Sequence, residues 1–485
     1  MGELRSKALK GVFWSAVDKA GVKLTAFIVS IVIARILSPS DYGVIGMILI
    51  FITIANIFID SGMSQALVQK KNRTQKDLDT AFFFNIGVSC VCYLILFLCA
   101  PLIARFYEVA ELTDILRVLG LNIILIALST VQRANLLAKI DFKSIAIVNL
   151  CGVMVSGIVG IWMAKTGFGV WALVGQTLTS SGVASLVFWL MGKWRPSLEF
   201  SKESLKHLWN FGSKLLATGL VSTIMREIYS VAIGKIYRSS ELGYYTRAVQ
   251  TSDMVAITTN DIINAVTFPI LSSLQDDKSR LVSVYSRMLG MTAFIIFPVM
   301  TGLAVVAEPF ISVLLTDKWL PAVVLMQWLC FARMFTPISS LNMNILNAVG
   351  RSDLFMKVDF SKLPLSIITM VITIPLGVKA IVIGGFINTF ICYFINAYLP
   401  GKLFNFGVKA QFRIFWKIVI ATALMAAVSY AAMLLVSPML LKLIVGTAAG
   451  ILSYALLSFL IRIPEFTEIQ RILLSTLSRI SSKIP

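Results

Sequence analysis

The 485-residue chain is 58% hydrophobic and only 14% charged, with a mean hydropathy of +0.86 and a formal net charge of +19. Soluble domains carry about 45–50% apolar and about 25% charged residues, so a water-soluble enzyme or binding module is excluded. The positive charge falls in loops between apolar runs and not on one basic face, which is the orientation bias of a membrane protein and speaks against a nucleic-acid partner.

Arg5, Lys7 and Lys10 precede the first apolar run, and no small-residue cleavage site follows, so this run reads as a retained first helix. Fourteen spans are expected, over 12–37, 41–68, 79–104, 115–138, 144–164, 168–192, 208–235, 247–274, 286–308, 321–348, 354–376, 379–400, 413–436 and 439–461. Each is long enough to cross roughly 30 Å of hydrocarbon, and the alternating segments of a β-barrel are not seen. The loops alternate in charge. Lys70, Lys71, Arg73 and Lys76, then Lys139 and Lys143, then Lys193, Arg195, Lys202 and Lys206 mark one side, whereas the loop at 105–114 carries Glu108, Glu111 and Asp114. Both termini are therefore expected in the cytoplasm. The segment after residue 464 places Ile469, Ile472, Leu473, Leu477 and Ile480 near one helical face and reads as an amphipathic helix on the inner leaflet.

A repeat organises these spans. "RILSPSDYGVI" at 35–45 returns as "KIYRSSELGYY" at 235–245, with Ile36, Ser40 and Gly43 recurring as Ile236, Ser240 and Gly243. At an offset of 208, "GVWAL" (169–173) meets "GVKAI" (377–381). The expected fold is an all-α integral membrane protein. An N-lobe (1–192) and a C-lobe (208–400), six helices each, are joined by a cytoplasmic linker (193–207). Two further helices (401–461) and a cytoplasmic tail (462–485) follow. An even number of helices per lobe makes the repeats parallel, and transporters built this way hold substrate between the halves.

Ionisable residues inside membrane spans are costly and mark functional sites. The first span carries Asp18, Lys19 and Lys23, the last two sharing a helix face. Its repeat partner carries Arg226 and Glu227, and Arg333 lies on the tenth span. Lys19, Lys23, Arg226 and Arg333 are the candidates for a cationic substrate cavity. Asp18, Asp60, Glu227, Asp261 and Asp359 are the candidates for gating or ion coupling; Asp261 sits among Thr258, Thr259, Asn260 and Asn264, and Asp359 lies three residues from Lys362. Snorkelling of Lys19 and mutual neutralisation of Asp359 and Lys362 are the structural alternatives. The six cysteines lie in apolar segments without metal-ligand spacing, and His207 is the one histidine, so no metal site, cofactor or catalytic constellation is expected. The chain is read as a non-enzyme driven by a gradient of H⁺ or Na⁺ or by its substrate's own gradient.

"SPSDYGVIGM", "IDSGMSQALVQKKNRTQKDLDTAFFFN", "IYRSSELGYYTRAVQ" and "FPILSSLQDD" stand in an order that resembles the polysaccharide transporter (Wzx-type) flippases of the multidrug/oligosaccharidyl-lipid/polysaccharide exporter superfamily. That resemblance implies two lobes around a central cationic cavity in a bacterial cytoplasmic membrane. It also implies a lipid-linked oligosaccharide, typically on undecaprenyl pyrophosphate, carried from the inner to the outer leaflet, with membrane lipids and other glycan-assembly membrane proteins as partners. A multidrug or cation exporter of the same superfamily would favour an acidic cavity. A glycan polymerase or ligase would need a sizeable outer loop carrying catalytic residues, and the loops here are short.

Overall fold

The computed structural model describes residues 21–60, 63–70, 73–139 and 141–471, and every regular element among them is helical. The helices are α1 (Lys23–Ile36), α2 (Pro39–Asp60), α3 (Met63–Gln69), α4 (Gln75–Tyr107), α5 (Leu112–Ala138), α6 (Phe142–Lys165), α7 (Trp171–Met191), α8 (Lys202–Ile236), α9 (Ser239–Ser273), α10 (Lys278–Val305), α11 (Ala307–Leu315), α12 (Ala322–Arg333), α13 (Phe335–Ala348), α14 (Ser352–Thr373), α15 (Val378–Phe404), α16 (Val408–Leu434) and α17 (Met439–Leu460). Among the described residues, helix is found within each expected span, in the first from Lys23 onward. Among the described residues, eleven helices are long and apolar enough to cross a membrane. The three expected spans outside that set coincide with α1, α8 and α9. The last two run 35 residues each.

Two departures from the expected pattern have local causes. The stretch after α10 forms the short helix α11 and a 3-10 turn over Asp317–Trp319, which buries Trp319 completely. The expected span at 321–348 divides into α12 and α13 at Met334. Pro337 has no N–H to give the carbonyl of Arg333, so the helical ladder is interrupted beside that arginine.

The chain divides into two compact units, Met1–Gly243 and Tyr244–Pro485. In the first, α4 pairs with α5 and α6 with α7 as antiparallel hairpins, while α2 packs on α8 and α1 on α6. Helices in lipid associate through close van der Waals packing, which small residues permit; Val29 and Ile33 of α1 seat against Gly157 and Gly160 of α6. At its start, α2 is capped by Asp41, whose Oδ2 accepts the Ser38 backbone N–H at 2.8 Å and its hydroxyl at 2.7 Å. There α2 meets the first turn of α9. A Cβ placed on Gly43 would stand 2.5 Å from the Ser239 carbonyl carbon, and one on Gly243 would stand 2.7 Å from that of Pro39. The contact is reciprocal at the 200-residue offset of the repeat, and the Ser40 and Ser239 hydroxyls bond across it at 2.6 Å.

In the second unit, α10 packs on α12, α13 and α16, while α15 packs on α12, α13 and α14, and α16 pairs with α17. Tyr285, Asn342 and Gln411 form a fully buried polar triad joining α10, α13 and α16: Tyr285 Oη donates to Asn342 Oδ1, and Gln411 Nε2 donates to the same oxygen at 2.8 Å. A satisfied network of this kind specifies one packing arrangement, because breaking any member strands the others. A helix over 464–471 packs against α10, with Arg287 ion-paired to Glu468 and the Phe294 and Phe466 rings 6.4 Å apart. The rest of the expected amphipathic tail lies outside the described residues.

Candidate functional site

Of the residues that sequence chemistry singles out, Arg226, Glu227 and Asp261 lie on the two most polar long helices, α8 and α9. On α8, Arg226 Nε donates to Glu227 Oε1 at 3.0 Å; the arginine side chain is 65% exposed and the glutamate 15%. One turn along, the Tyr229 hydroxyl is buried with no hydrogen-bond partner among the described residues. Lys23 opens α1 and is half-buried. Asp18 and Lys19 lie outside the described residues, and Asp60 ends α2 with its side chain undescribed. Asp261 is half-buried on α9.

Arg333, at the end of α12, is held by Asp253 of α9 through an Nε–H to Oδ1 bond, with Nη2 at 3.5 Å from Oδ2. The guanidinium keeps its charge, but the pair as a whole is neutral, so a ligand would meet Arg333 together with its counter-ion. Asp359 and Lys362 bond at 2.5 Å on α14, and Lys362 Nζ reaches Asn396 Oδ1 on α15 at 3.0 Å. Sequence reasoning missed Asp253 and Arg247, although both lie inside the expected eighth span, where a charge count would have found them. Arg247 is only 3% exposed.

Two cavities in the second unit differ in chemistry. An open cleft of about 560 Å³ lies among α9, α13, α14 and α15, with Asn264, Asn344, Asn388 and Asn396 on its walls beside the Asp359–Lys362 pair. A groove of about 370 Å³ lies among α9, α10, α11, α16 and α17, lined by Pro298, Gly302, Leu443, Gly446 and neighbouring apolar groups. The first can hold a polar ligand. The second can hold a hydrocarbon chain and offers almost no hydrogen bonds.

In the first unit, the motif "RTQKDLDTAFFFN" opens α4 and fastens the segment that leads into α8. Thr74 and Asp77 form a capping box, and Lys70 Nζ lies 2.8 Å from the buried Asp77 carboxylate. Asp79, fully buried, accepts the Ser197 hydroxyl and the Gln75 amide, the latter at 3.0 Å; Gln75 also donates to the Arg195 carbonyl at 2.7 Å. Gln132 donates to the Trp194 carbonyl at 2.9 Å, and the Ser201 N–H donates to Thr80 Oγ1 at 3.0 Å. The connection expected as a linker, 193–207, is thus strapped to α4 and α5 up to Ser201 and is helical from Lys202. A cleft of about 500 Å³ between the starts of α4 and α8 carries Lys70, Lys76 and Lys206.

Residues 32–324, more than half of the chain, match the family described as polysaccharide biosynthesis protein. The lipopolysaccharide biosynthesis protein WzxC of Escherichia coli K12 is 26% identical over 404 residues, covering 81% of each chain. The teichuronic acid biosynthesis protein TuaB of Bacillus subtilis 168 is 23% identical over 465 residues, 94% of this chain and 96% of that one. Among solved structures, lipid II flippase MurJ in an inward closed conformation superposes with a TM-score of 0.73 at 16% identity, covering 92% of this chain and 98% of its own; that likeness shows the fold. The chain is a multi-helix membrane protein that belongs to the polysaccharide biosynthesis protein family.

Proposed function

We propose that this protein is a flippase that carries a lipid-linked oligosaccharide from the inner to the outer leaflet of the cytoplasmic membrane for surface-polysaccharide export. The observation that carries this reading is the conjunction of family membership with polar, charge-bearing helices in a fold shared with a lipid II flippase. A pyrophosphate and its sugars cannot enter hydrocarbon, so their passage requires a lined path. In this reading α1, α8 and α9 cross the membrane with the eleven apolar helices to make fourteen spans, and their polar faces line the path. Both termini lie in the cytoplasm. The 200-residue reciprocity of the Gly43–Ser239 and Gly243–Pro39 contacts supports two parallel lobes, 1–192 and 208–400.

The phosphates are met by Lys19, Lys23, Arg226 and Arg333, whose attraction is strengthened where water is scarce. The prenyl tail stays in lipid and follows apolar walls such as the groove beside α16 and α17. Rocking of the lobes exposes the path to each side in turn, coupled to H⁺ or Na⁺ through carboxylates among Asp18, Asp60, Glu227, Asp261 and Asp359. Undecaprenyl pyrophosphate is the proposed carrier, and glycan-assembly membrane proteins are the proposed neighbours. The test is export of surface glycan in Lys23→Ala and Arg226→Ala strains with protein level measured alongside. Loss of export at normal protein level supports the assignment, and normal export in both removes it.

A further inference from the structure

We infer that the asparagine-rich cleft of the second unit binds the uncharged sugar residues of the transported glycan. The inference rests on the transport reading above and gives its glycan a place on the molecule. Asn264, Asn344, Asn388 and Asn396 come from α9, α13, α14's neighbour α15 and again α15, and they converge on one cleft of about 560 Å³. Such a volume lies in the usual range for ligand sites and admits a short oligosaccharide.

The chemistry of the walls selects the ligand class. The only charged groups among the described lining residues are Asp359 and Lys362, which bond to each other at 2.5 Å. A cation would meet the Lys362 ammonium, and an anion would meet the Asp359 carboxylate, so the cleft favours a neutral ligand. An apolar ligand is disfavoured because the amides would lose water without replacement. Each amide already spends one end on a neighbour: Asn344 Nδ2 donates to Asn264 Oδ1 at 2.7 Å, Asn388 Nδ2 to Ser366 Oγ at 3.2 Å, and Asn396 Oδ1 accepts from Lys362 at 3.0 Å. These bonds orient the side chains and leave Asn264 Nδ2, Asn344 Oδ1, Asn388 Oδ1 and Asn396 Nδ2 with capacity for a ligand. The hydroxyls of Ser339 and Ser340 stand on the same walls, and Phe355 adds an aromatic one. A mixture of oriented donors and acceptors without net charge matches the hydroxyl groups of a sugar, each of which both donates and accepts.

The test uses the full-length protein in nanodiscs, titrated by native mass spectrometry with two probes. One is undecaprenyl pyrophosphate; the other is the same carrier loaded with oligosaccharide, extracted from a strain deleted for this protein. The wild type is expected to bind the loaded carrier about tenfold or more tightly than the bare one, because a site built to pair hydroxyls discriminates against a ligand lacking them. Asn344→Leu and Asn388→Leu, on separate helices, are each expected to erase most of that preference while keeping bare-carrier binding within about twofold, which also reports correct folding. Equal wild-type affinity for both probes, or a preference kept by both variants, overturns the sugar site and leaves the flippase reading standing. A wild type that binds neither probe overturns the flippase reading itself. If one variant loses bare-carrier binding through misfolding, the wild-type preference and the other variant still decide the outcome.

Discussion

Gly43→Ala tests the crossing of α2 and α9. The added Cβ would lie 2.5 Å from the Ser239 carbonyl carbon, against an ordinary contact of 3.4 Å, so the backbones must part by about 0.9 Å there and by more at the oxygen. Backbone cannot yield as a flexible side-chain end would, and overpacking of this kind costs about 1–3 kcal/mol. Separation also stretches the 2.6 Å Ser40–Ser239 hydrogen bond, worth about 1 kcal/mol. The sum, about 2–4 kcal/mol, corresponds at its lower end to a roughly thirtyfold loss of the closed crossing. The assay is disulfide formation between Ser40→Cys and Ser239→Cys in a background where Cys90, Cys92, Cys99, Cys151, Cys330 and Cys392 are replaced. Adjacent hydroxyls place the two thiols within bonding reach. Rapid cross-linking in the parent and a large fall with Gly43→Ala are expected. Equal cross-linking with and without Gly43→Ala would refute the argument that glycine is required for this contact.

Three further perturbations follow from the packing. Asp77→Ala removes a helix cap and strands Lys70, and a loss of about 2–4 kcal/mol is expected, read as a lower unfolding temperature and faster proteolysis within 193–201. Asp253→Leu should destabilise by about 3 kcal/mol because Arg333 is left without its partner, and the double replacement Asp253→Leu with Arg333→Leu should recover much of that loss in thermal unfolding. Burial raises the carboxyl pKa of Glu465 above its ordinary 4.5, with Glu468 adding to the rise and Lys417 opposing it. The protonated form therefore favours docking: that contribution is full below about pH 4.5 and fades as pH rises through the raised value. Hydrogen exchange over 464–471 should quicken with rising pH beyond its intrinsic trend, and Glu465→Gln should abolish the excess.

Much of the helical frame was legible because apolar runs announce themselves, and even α8 and α9 were found despite their polar faces. The 200-residue repeat was visible in Ser40 and Gly43, but the hydrogen bond and backbone contact that make it a crossing required coordinates, since periodicity carries no partner. Asp77 and Asp79 stood in a quoted motif without a role. Ser197, the partner of Asp79, and the Ser201 N–H and Arg195 carbonyl that bond neighbouring Thr80 and Gln75, lie more than a hundred residues away, a distance local pattern cannot bridge. The charged candidates were found one at a time, yet the structure pairs several of them with acids, as Arg333 with Asp253. Asn344, Asn388 and Asn396 escaped notice because single amides scarcely lower the hydropathy of a long apolar window. α11 was missed because nine residues are too few to register as a span.

The most direct test of the transport account is the fate of lipid-linked oligosaccharide in a strain deleted for this protein. Mass spectrometry of the lipid extract, combined with a glycan-modifying reagent that cannot cross the membrane, reports both amount and leaflet. The account predicts that loaded carrier accumulates, escapes the reagent in intact cells, and returns to normal when the wild-type protein is restored. Unchanged carrier levels with normal glycan at the surface would contradict it.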